Sequence, residues 1–439
     1  MDQNTAHRRA VIESCEPAPI PDSLETYLDA NRADLIGFSE RLLGVDTQNP
    51  PGDTRAIVEW IDSTLADTDL HLERVTIDPR KPNLIATLPG ESDRTLCFNG
   101  HLDTVPYDAA QWTHAPLGER RDDRLYGRGA TDMKGAVAAM VHLALAFDRT
   151  DTVPPVTLQF AFVSDEEIGG AAGMPALVDH PGFHPEACVI GETTCRGGRY
   201  SVSVADRGHV WLTIQADGRA AHGSRPMIGD NAIDRLIEAT DQFRTAFGGW
   251  QLAVEAQMTE IISESIRFYE PETGAEAAQA LFRYPTINLG TIEGGTAINT
   301  VPASAHAKVD VRLTAGVDMG EVVEAIRDCF VTMNQITLSE VTWRAGTYVP
   351  IDSPIAAASA AAAASVIDER VNRCSATGGG DATILRRQGI PTVEFGFGTQ
   401  TAHGTDEYTT TQSLQHNATA YAALPYEYDL RSVKQASKA

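Results

Sequence analysis

Apolar positions in the first third of the chain follow two different periods. Residues 24–45 place apolar side chains at the spacing of one helix face, and residues 54–67 and 132–147 repeat that spacing. Between these segments lie short, nearly continuous apolar runs bounded by turn residues, namely NLIATL, TLCFNG, VTLQFAFVS and ACVIG. Buried strands separated by helices predict an α/β domain whose sheet is mostly parallel and covered on both faces.

The pattern changes in the middle of the chain and then returns. Residues 208–343 predict the order strand, helix, two strands, helix and strand, which is that of a ferredoxin-like α+β unit. Residues 249–285 inside this unit carry no clear pattern. From residue 347 the first pattern resumes, with a helix whose start is marked by Ser353 and Pro354. We therefore expect a first domain at 1–204 with a flexible lead-in at 1–21, an inserted domain at 205–346, and the rest of the first domain at 347–439.

Length and composition agree with a two-domain globular protein. The 439 residues exceed what one hydrophobic core usually supports. No apolar run approaches the roughly 20 residues of a membrane helix, so we expect no membrane association. The N-terminus has two arginines but no apolar stretch after them, which does not suit a secretory signal. Six cysteines without a C-x-x-C pair disfavour a disulfide framework or a zinc knuckle, and they favour a cytoplasmic location.

The chain is strongly acidic. Its net charge is −25, and its basic residues are 30 arginines and only 5 lysines. Such a field repels nucleic acid and anionic membranes, so we expect neither as a partner. A carboxylate-rich, lysine-poor surface favours adaptation to high salt, where self-repulsion is screened. The alternative is an acidic enzyme of ordinary salt tolerance.

Polar side chains follow the predicted strands, at the ends where an open parallel sheet binds its ligands. They are His101 and Asp103, Asp165, Glu166 and Glu167, Glu192, and His403, with Asp132 after the turn RLYGRGAT. Each has an ordinary explanation when taken alone: Asp132 could cap the next helix, the glutamates could form a solvated turn, and the histidines could be structural. Their coincidence at strand ends favours a shared site.

The residue types in this set suit divalent metal ions. Histidines and carboxylates without cysteine favour zinc, manganese or cobalt. Two such ions roughly 3.5–4 Å apart commonly share one bridging carboxylate. Asp132, Glu167 and Glu192 would supply three negative charges against four positive ones, and a bridging hydroxide would supply the fourth. In an extended segment Glu166 and Glu167 point to opposite sides, so one can bind metal while the other acts as general base.

The period of two has the opposite effect in the His101-x-Asp103 pair. Alternate residues of an extended segment share a side, so the Asp103 carboxylate can accept a hydrogen bond from the second ring nitrogen of His101. Such a bond would fix the tautomer and the orientation of a metal-binding imidazole.

Five motifs resemble one known family when they are taken in order. GHLDTVP, GRGATDMKG, SDEEIGG, GETT and TAHGTDEY are similar to those of the acetylornithine deacetylase and succinyl-diaminopimelate desuccinylase family, whose relatives include aminoacylases and glutamate carboxypeptidases. The resemblance covers roughly residues 24–424. It implies a zinc-binding α/β domain interrupted by a ferredoxin-like lid that usually forms a homodimer.

The resemblance also implies roles for the strand-end residues. His101 and either Glu192 or Glu167 would bind separate metals, Asp132 would bridge them, and His403 would complete the second metal site. Glu166 matches the general base of the family. Asp103 matches the residue that orients the first histidine.

In the lid, GRAAHGSRP matches the segment whose histidine reaches the partner subunit's active site. His222 would then be an oxyanion donor. AINTVP and DVR match segments that bind polar groups of the substrate, so Asn299 and Arg312 are candidates for holding a carboxylate, although a structural salt bridge is an equal alternative for Arg312. GGGDA resembles a glycine-rich loop beside the substrate, which makes Gly379 and Gly380 candidates for substrate contact.

The sequence therefore predicts a hydrolase that removes the acyl group from a small N-acyl amino acid with two divalent ions. Succinyl-diaminopimelate is the first expectation for the substrate and acetylornithine the second. GETT lacks a proline that often follows the ligand glutamate, GGGDA has glycine where many members have serine or threonine, and Asp206 precedes Arg207 where some desuccinylases have two basic residues. These departures leave the acyl group open. A carboxypeptidase or dipeptidase, or an inactive metal-binding dimer, are the alternatives.

Overall fold

The computed structural model describes residues 18–367 and 369–436, which fall into two compact units. The larger unit comprises Met1–Val202, Asp352–Asn372 and Gly380–Ala439, and the smaller one comprises Ser203–Ile351 and Arg373–Gly379. Most of the predicted lead-in at 1–21 lies outside the described residues. The smaller unit interrupts the larger one along the chain. It includes residues 203–204, 347–351 and 373–379, which the sequence pattern assigned to the first domain.

The secondary structure elements are numbered here in chain order. The helices are α1 (Asp22–Ala30), α2 (Arg32–Leu43), α3 (Arg55–Leu65), α4 (Lys134–Arg149), α5 (Met174–Val178), α6 (Ala232–Gly248), α7 (Met258–Thr273), α8 (Ala275–Arg283), α9 (Met319–Val331), α10 (Pro354–Ala364), α11 (Asp381–Arg387) and α12 (Thr411–Ala436). The strands are β1 (His71–Val75), β2 (Asn83–Leu88), β3 (Thr95–His101), β4 (Glu119–Arg121), β5 (Arg124–Tyr126), β6 (Thr157–Val163), β7 (Ala187–Ile190), β8 (Cys195–Arg196), β9 (Arg199–Ala205), β10 (Gly208–Asp217), β11 (Thr286–Gly294), β12 (Ser304–Leu313), β13 (Ile336–Arg344), β14 (Asn372–Ser375), β15 (Thr392–Glu394) and β16 (Tyr408–Thr410).

The larger unit is built on a sheet in which β1, β2, β6, β3, β7 and β15 are neighbours in that order. Strand β3 pairs in parallel with β6 and β7, β15 pairs in parallel with β7, and β1 and β2 form an antiparallel edge. Strands β9 and β14, through which the chain passes between the units, continue the order. The central strands are buried along nearly their whole length, as is α4. This confirms the predicted α/β class with a largely parallel sheet.

Two helical predictions in the larger unit need correction. The single helix expected over 24–45 is two helices, because the chain leaves helical geometry at Asn31, where φ is −105° and ψ is 24°. The long C-terminal helix α12 was not predicted. One of its residues, Tyr421, is fully buried, and the Tyr421 hydroxyl group donates a hydrogen bond to the Phe395 carbonyl oxygen over 2.9 Å.

The smaller unit has the predicted ferredoxin-like order. Its antiparallel sheet runs β11, β12, β10, β13, and α6 and α9 cover one face. Alternate residues of β10 point into this core, where Val210, Leu212, Ile214 and Ala216 are all at most 2% exposed. The unassigned stretch 249–285 contains α7 and α8, with Phe268 and Phe282 buried.

A small third sheet belongs to the larger unit and ties two distant parts of the chain together. Strand β16 pairs with β5, and β5 pairs with β4. Tyr408 lies opposite Tyr126 in this register. The loops that precede β16 and follow β5 are therefore neighbours, although they are almost three hundred residues apart. No helix in the described part of the chain is long and apolar enough to cross a membrane.

Candidate metal centre

Neighbouring parallel strands bring the predicted residues to one edge of the sheet. His101 is the last residue of β3, Glu166 and Glu167 follow β6, and Glu192 follows β7. Because β3 pairs in parallel with both other strands, their carboxyl ends lie side by side. The sequence rule about strand ends therefore locates four of these side chains from local information alone.

The side chains form two halves that share Asp132. His101 Nε2 lies 3.0 Å from Asp132 Oδ1 and 3.1 Å from Glu192 Oε1. His403 Nε2 lies 3.1 Å from Asp132 Oδ2 and 3.3 Å from Glu167 Oε2. Each half thus has one imidazole, one glutamate and one oxygen of Asp132. The first half contains His101 and Glu192, and the second half contains His403 and Glu167.

This donor set fits divalent metal ions. One atom from each of His101, Asp132 and Glu167 lies within 4.8 Å of the others, which is close enough for shared coordination. The donors are imidazole nitrogens and carboxylate oxygens, the combination that zinc, cobalt and manganese accept. A carboxylate with one oxygen directed at each half is the arrangement that a bridging ligand needs.

Asp132 does not cap the following helix. Helix α4 begins at Lys134, its N-cap is Met133, and no side chain accepts a hydrogen bond there. The Asp132 carboxylate is instead turned toward the two histidines. The ordinary explanation that the sequence allowed for this residue is therefore wrong.

Asp103 acts differently from the prediction. Nδ1 of His101 lies 2.9 Å from the backbone oxygen of Asp103 and 3.8 Å from the nearer carboxylate oxygen, so the carbonyl is the hydrogen-bond partner. The carboxylate accepts hydrogen bonds from the backbone nitrogens of Glu166 and Glu167 over 3.1 and 3.2 Å, and from Asn49 Nδ2 over 2.8 Å. Strand β3 ends at His101, and beyond it the Asp103 carboxylate lies against the glutamate turn.

Glu166 and Glu167 lie in a turn after β6 and have different surroundings. Glu167 points to His403, and its other oxygen accepts a hydrogen bond from the Val105 backbone nitrogen over 3.2 Å. Glu166 is half-buried next to Gly380, where an added Cβ atom would lie 2.6 Å from Glu166 Oε1. Burial, together with the nearby carboxylates of Asp381, Glu192 and Glu167, raises the pKa of Glu166 well above its usual value despite the opposing charge of His101.

Burial and ion pairing shift the pKa values of three residues in the cluster upward. Hydrogen bonds to Asp132 and Glu167 raise the pKa of His403 to about 10. Burial and the Asp132 charge raise the pKa of Glu192 to about 8. Burial lowers the pKa of His101, but its bonds to Asp132 and Glu192 outweigh this and raise it well above the usual value.

The remaining predicted residues lie outside this cluster. His222 is exposed in the smaller unit, and its Nδ1 accepts a hydrogen bond from the Ser224 backbone nitrogen over 3.2 Å. Asn299 is beside it, because the Gly223 nitrogen donates to the Asn299 oxygen over 2.7 Å. Arg312 Nε donates to both Asp310 oxygens over 2.9 and 3.0 Å, which is the salt-bridge alternative. Gly379 is exposed.

Two residues that the sequence reasoning passed over brace the second half of the cluster. Glu407 is fully buried and pairs with Arg128 Nη1 over 2.6 Å, and Arg128 Nη2 donates to the His403 backbone oxygen over 3.2 Å. Both residues lie within the motifs GRGATDMKG and TAHGTDEY. A charged pair with one member in each of two metal-ligand motifs was the signal available in the sequence.

A cavity of about 440 Å³ opens beside His403. Two aromatic rings, Tyr107 and Trp112, lie at its wall with their centroids 5.9 Å apart, and Arg128 lies over the Trp112 ring at 5.4 Å. This volume is within the range of small-molecule sites.

Comparison with known sequences identifies relatives along most of the chain. The family model for peptidase family M20/M25/M40 matches residues 97–427. A succinyl-diaminopimelate desuccinylase of Sphingopyxis alaskensis is 29% identical over 401 residues, which cover 88% of this chain and 96% of the relative. An acetylornithine deacetylase of Pasteurella multocida is 26% identical over 368 residues, which cover 81% of this chain and 86% of the relative.

Solved structures share the fold at lower sequence identity. Human carnosine dipeptidase 1 has a TM-score of 0.70 at 19% identity, and the match covers 94% of this chain and 100% of that one. An M20 family metallo-carboxypeptidase of Sulfolobus solfataricus has a TM-score of 0.69 at 18% identity, covering 89% and 99%. A dinuclear metal-binding peptidase of Bacillus subtilis has a TM-score of 0.62 at 16% identity, covering 91% and 98%. With the family model matching three quarters of the sequence, the chain belongs to peptidase family M20/M25/M40 and is a hydrolase of that family.

Proposed function

We propose that this hydrolase cleaves the amide bond of a small N-acyl amino acid with two divalent ions, zinc first and cobalt or manganese as alternatives. The observation that carries the proposal is the division of the cluster into two halves around Asp132, with Glu166 close by but outside both. His101 and Glu192 would hold one ion, His403 and Glu167 the other, and Asp132 both. The bound ions would polarise the amide carbonyl and make water a better nucleophile.

Glu166 suits the role of general base. It is half-buried beside the proposed metal-binding carboxylates, whereas the carboxylates that lie against Nε2 of His101 and His403 are those of Asp132, Glu192 and Glu167. A carboxylate whose pKa is raised by its surroundings takes a proton from the attacking water and returns it to the leaving nitrogen. Asp103 supports this role, because it holds the backbone of the turn that carries the base.

His222 suits the role of an oxyanion donor. Its Nδ1 accepts the Ser224 N–H hydrogen bond, so the neutral ring carries its proton on Nε2. That nitrogen is then free to donate to the oxygen of a tetrahedral intermediate. We propose that the smaller unit is a lid and dimerisation domain that supplies this histidine to the partner subunit of a homodimer.

The substrate proposal rests on the names of the relatives. Succinyl-diaminopimelate desuccinylase and acetylornithine deacetylase both act on N-acylated amino acids, and we propose the first of these substrates ahead of the second. Asn299 and Arg312 are proposed to hold a substrate carboxylate, with Gly379 and Gly380 beside it. A dipeptidase or carboxypeptidase is the second candidate, because the structural neighbours are named for those activities.

A substrate panel tests the proposal. Metal-reconstituted protein is assayed with N-succinyl-diaminopimelate, N-acetylornithine, other N-acyl amino acids and short peptides. We expect a kcat/KM for one acyl amino acid that exceeds every peptide, and preference for a peptide would reject the deacylase. Glu166→Ala should lower kcat by about 10³-fold or more with metal still bound, since it removes the base. Glu276→Ala, at an exposed position of α8, is the matched control and should keep wild-type turnover.

The same panel tests salt adaptation, which we propose from the net charge of −25 and the scarcity of lysine. Screening lowers the self-repulsion of an acidic surface, so stability and turnover should rise from dilute buffer to molar salt. Full activity and an unchanged melting temperature in dilute buffer would favour the ordinary acidic enzyme instead.

A further inference from the structure

We propose that the buried Glu407–Arg128 pair is a positioning device for the second half of the cluster, and that it sets the affinity of the ion held by His403, Glu167 and Asp132. The inference rests on the proposed two-ion function. It assigns to Glu407 and Arg128 a role that acts through the ligands, since neither side chain belongs to the cluster.

All four hydrogen bonds accepted by the Glu407 carboxylate serve one short loop. Oε1 accepts from the backbone nitrogens of Thr131 and Asp132 over 3.0 and 3.1 Å. Oε2 accepts from the Gly129 nitrogen over 3.1 Å and from Arg128 Nη1 over 2.6 Å. The shared ligand Asp132 is therefore held by its own amide, directly on Glu407.

The same pair reaches the loop that carries His403. Arg128 donates to the His403 backbone oxygen over 3.2 Å, and the Gly127 nitrogen donates to the Glu407 backbone oxygen over 2.8 Å. His403 has a φ of 62°, in the left-handed region that side chains other than glycine rarely adopt. Its side chain is 55% exposed, so it has few packing contacts of its own to fix it.

The first half of the cluster is held in another way. His101 ends β3 and Glu192 follows β7, and the Gly191 nitrogen donates to the Asn99 oxygen over 3.0 Å where those strands pair. A regular sheet fixes these two ligands. We therefore expect loss of the Glu407–Arg128 pair to weaken the ion at His403 more than the ion at His101.

Glu407→Gln is the decisive variant because it keeps the shape of the side chain. An amide has one acceptor oxygen, so its NH₂ group must face either the Thr131 and Asp132 nitrogens or the Gly129 nitrogen and Arg128. Chelator competition followed by elemental analysis gives the affinity of each ion in the intact protein. Titration with Co²⁺ followed by visible absorption reports the ligand field of each half.

We expect the ion at His403 to bind about 10- to 100-fold more weakly and the ion at His101 to lose less affinity, with kcat restored by excess metal and KM for substrate unchanged. Glu427→Gln is the matched control, since Glu427 is also buried and its partners are Arg431 and the Ala18 nitrogen. It should lower stability and leave both ions unchanged. Arg128→Lys keeps the positive charge, but a lysine cannot donate to both Glu407 Oε2 and the His403 backbone oxygen as the arginine does. It is the variant to use if Glu407→Gln does not fold.

Three results would overturn the proposal. Wild-type affinity of both ions in Glu407→Gln would reduce the pair to a stability element, and equal weakening of both ions would refute its selectivity. A wild-type protein that binds fewer than two ions would overturn this proposal and the two-ion mechanism together. Failure of the substrate panel with normal two-ion binding would reject only the proposed substrate.

Discussion

Gly380→Ala tests whether the general base has been identified correctly. The new Cβ atom would lie 2.6 Å from Glu166 Oε1, whereas carbon and oxygen atoms in contact are usually separated by roughly 3.3–3.6 Å. The carboxylate must therefore move by about 1 Å. A misplacement of about that size at a reacting group can cost about 100-fold in rate, so we expect kcat to fall by about 10- to 100-fold.

Stability should change little in the same variant. The atom that the new methyl group meets is the end of a flexible side chain, which can turn away, so the free energy of unfolding should change by less than about 1 kcal/mol. Steady-state kinetics, metal content and urea unfolding measure the three quantities separately. We expect metal content to match the wild type, because Glu166 is proposed as the base and not as a ligand.

Gly378→Ala is the matched control for this experiment. An added Cβ atom at Gly378 would have no heavy atom within 4 Å, so it changes the same loop without the overlap. If Gly380→Ala kept kcat within twofold of the wild type, the position of the Glu166 carboxylate would not matter for turnover and the reasoning would fail. Equal losses in both variants would attribute the effect to loop flexibility.

Three further predictions concern other parts of the larger unit. Asp103→Asn should lower both kcat and the free energy of unfolding, the latter by about 1–3 kcal/mol. The reason is that the NH₂ group of the amide would face one of the three donors that now bind the carboxylate. Unchanged values of kcat and of the unfolding free energy in urea would contradict this prediction. Burial lowers the pKa of His142 to about 4, so the neutral ring contributes roughly 3 kcal/mol above pH 6.5 that is lost as pH falls toward 4, where both states bind the proton. His142→Leu should flatten that acid-side slope relative to the wild type, and identical slopes would disprove the assignment. The pKa values of His403 and Glu192 are raised, so a metal ion that binds to them must displace protons. The metal affinity measured by chelator competition should therefore rise from pH 6 to pH 9. A flat profile would count against these residues as ligands.

The strand ends explain how much of the site the sequence could predict. Apolar runs such as TLCFNG and ACVIG mark buried strands, and the residue that follows each one is found by counting along the chain. The convergence of parallel strands then brings His101, Glu192 and the glutamate turn together without any knowledge of pairing. These residues could be predicted because the apolar pattern of a strand and the position of its end are both local properties of the sequence.

Which glutamate accompanies which histidine could not be predicted in the same way. Whether Glu192 or Glu167 accompanies His101 depends on how the turn after β6 meets a loop more than two hundred residues later. The geometry pairs Glu192 with His101 and Glu167 with His403. The role of the Asp103 carboxylate was missed for a related reason, since the period of two applies only while the strand lasts and β3 ends at His101.

The two halves of the cluster therefore differ in what holds them. The ligands of the first half follow strands that pair over several residues, so their positions are fixed by the same backbone hydrogen bonds that stabilise the sheet. In the second half, His403 lies in a loop that leads into β16, which pairs with β5 over three residues. A short pairing fixes a loop less firmly than a buried sheet does. Burial, together with the nearby charge of Asp132, raises the pKa of the Glu407 carboxyl. A carboxylate is tolerated there because Arg128 and three backbone nitrogens compensate it, and those same groups align the loops that carry Asp132 and His403. The same hydrogen bonds that compensate the buried Glu407–Arg128 pair also position the ligands of the second half. Loss of the pair should therefore be seen as weaker metal binding.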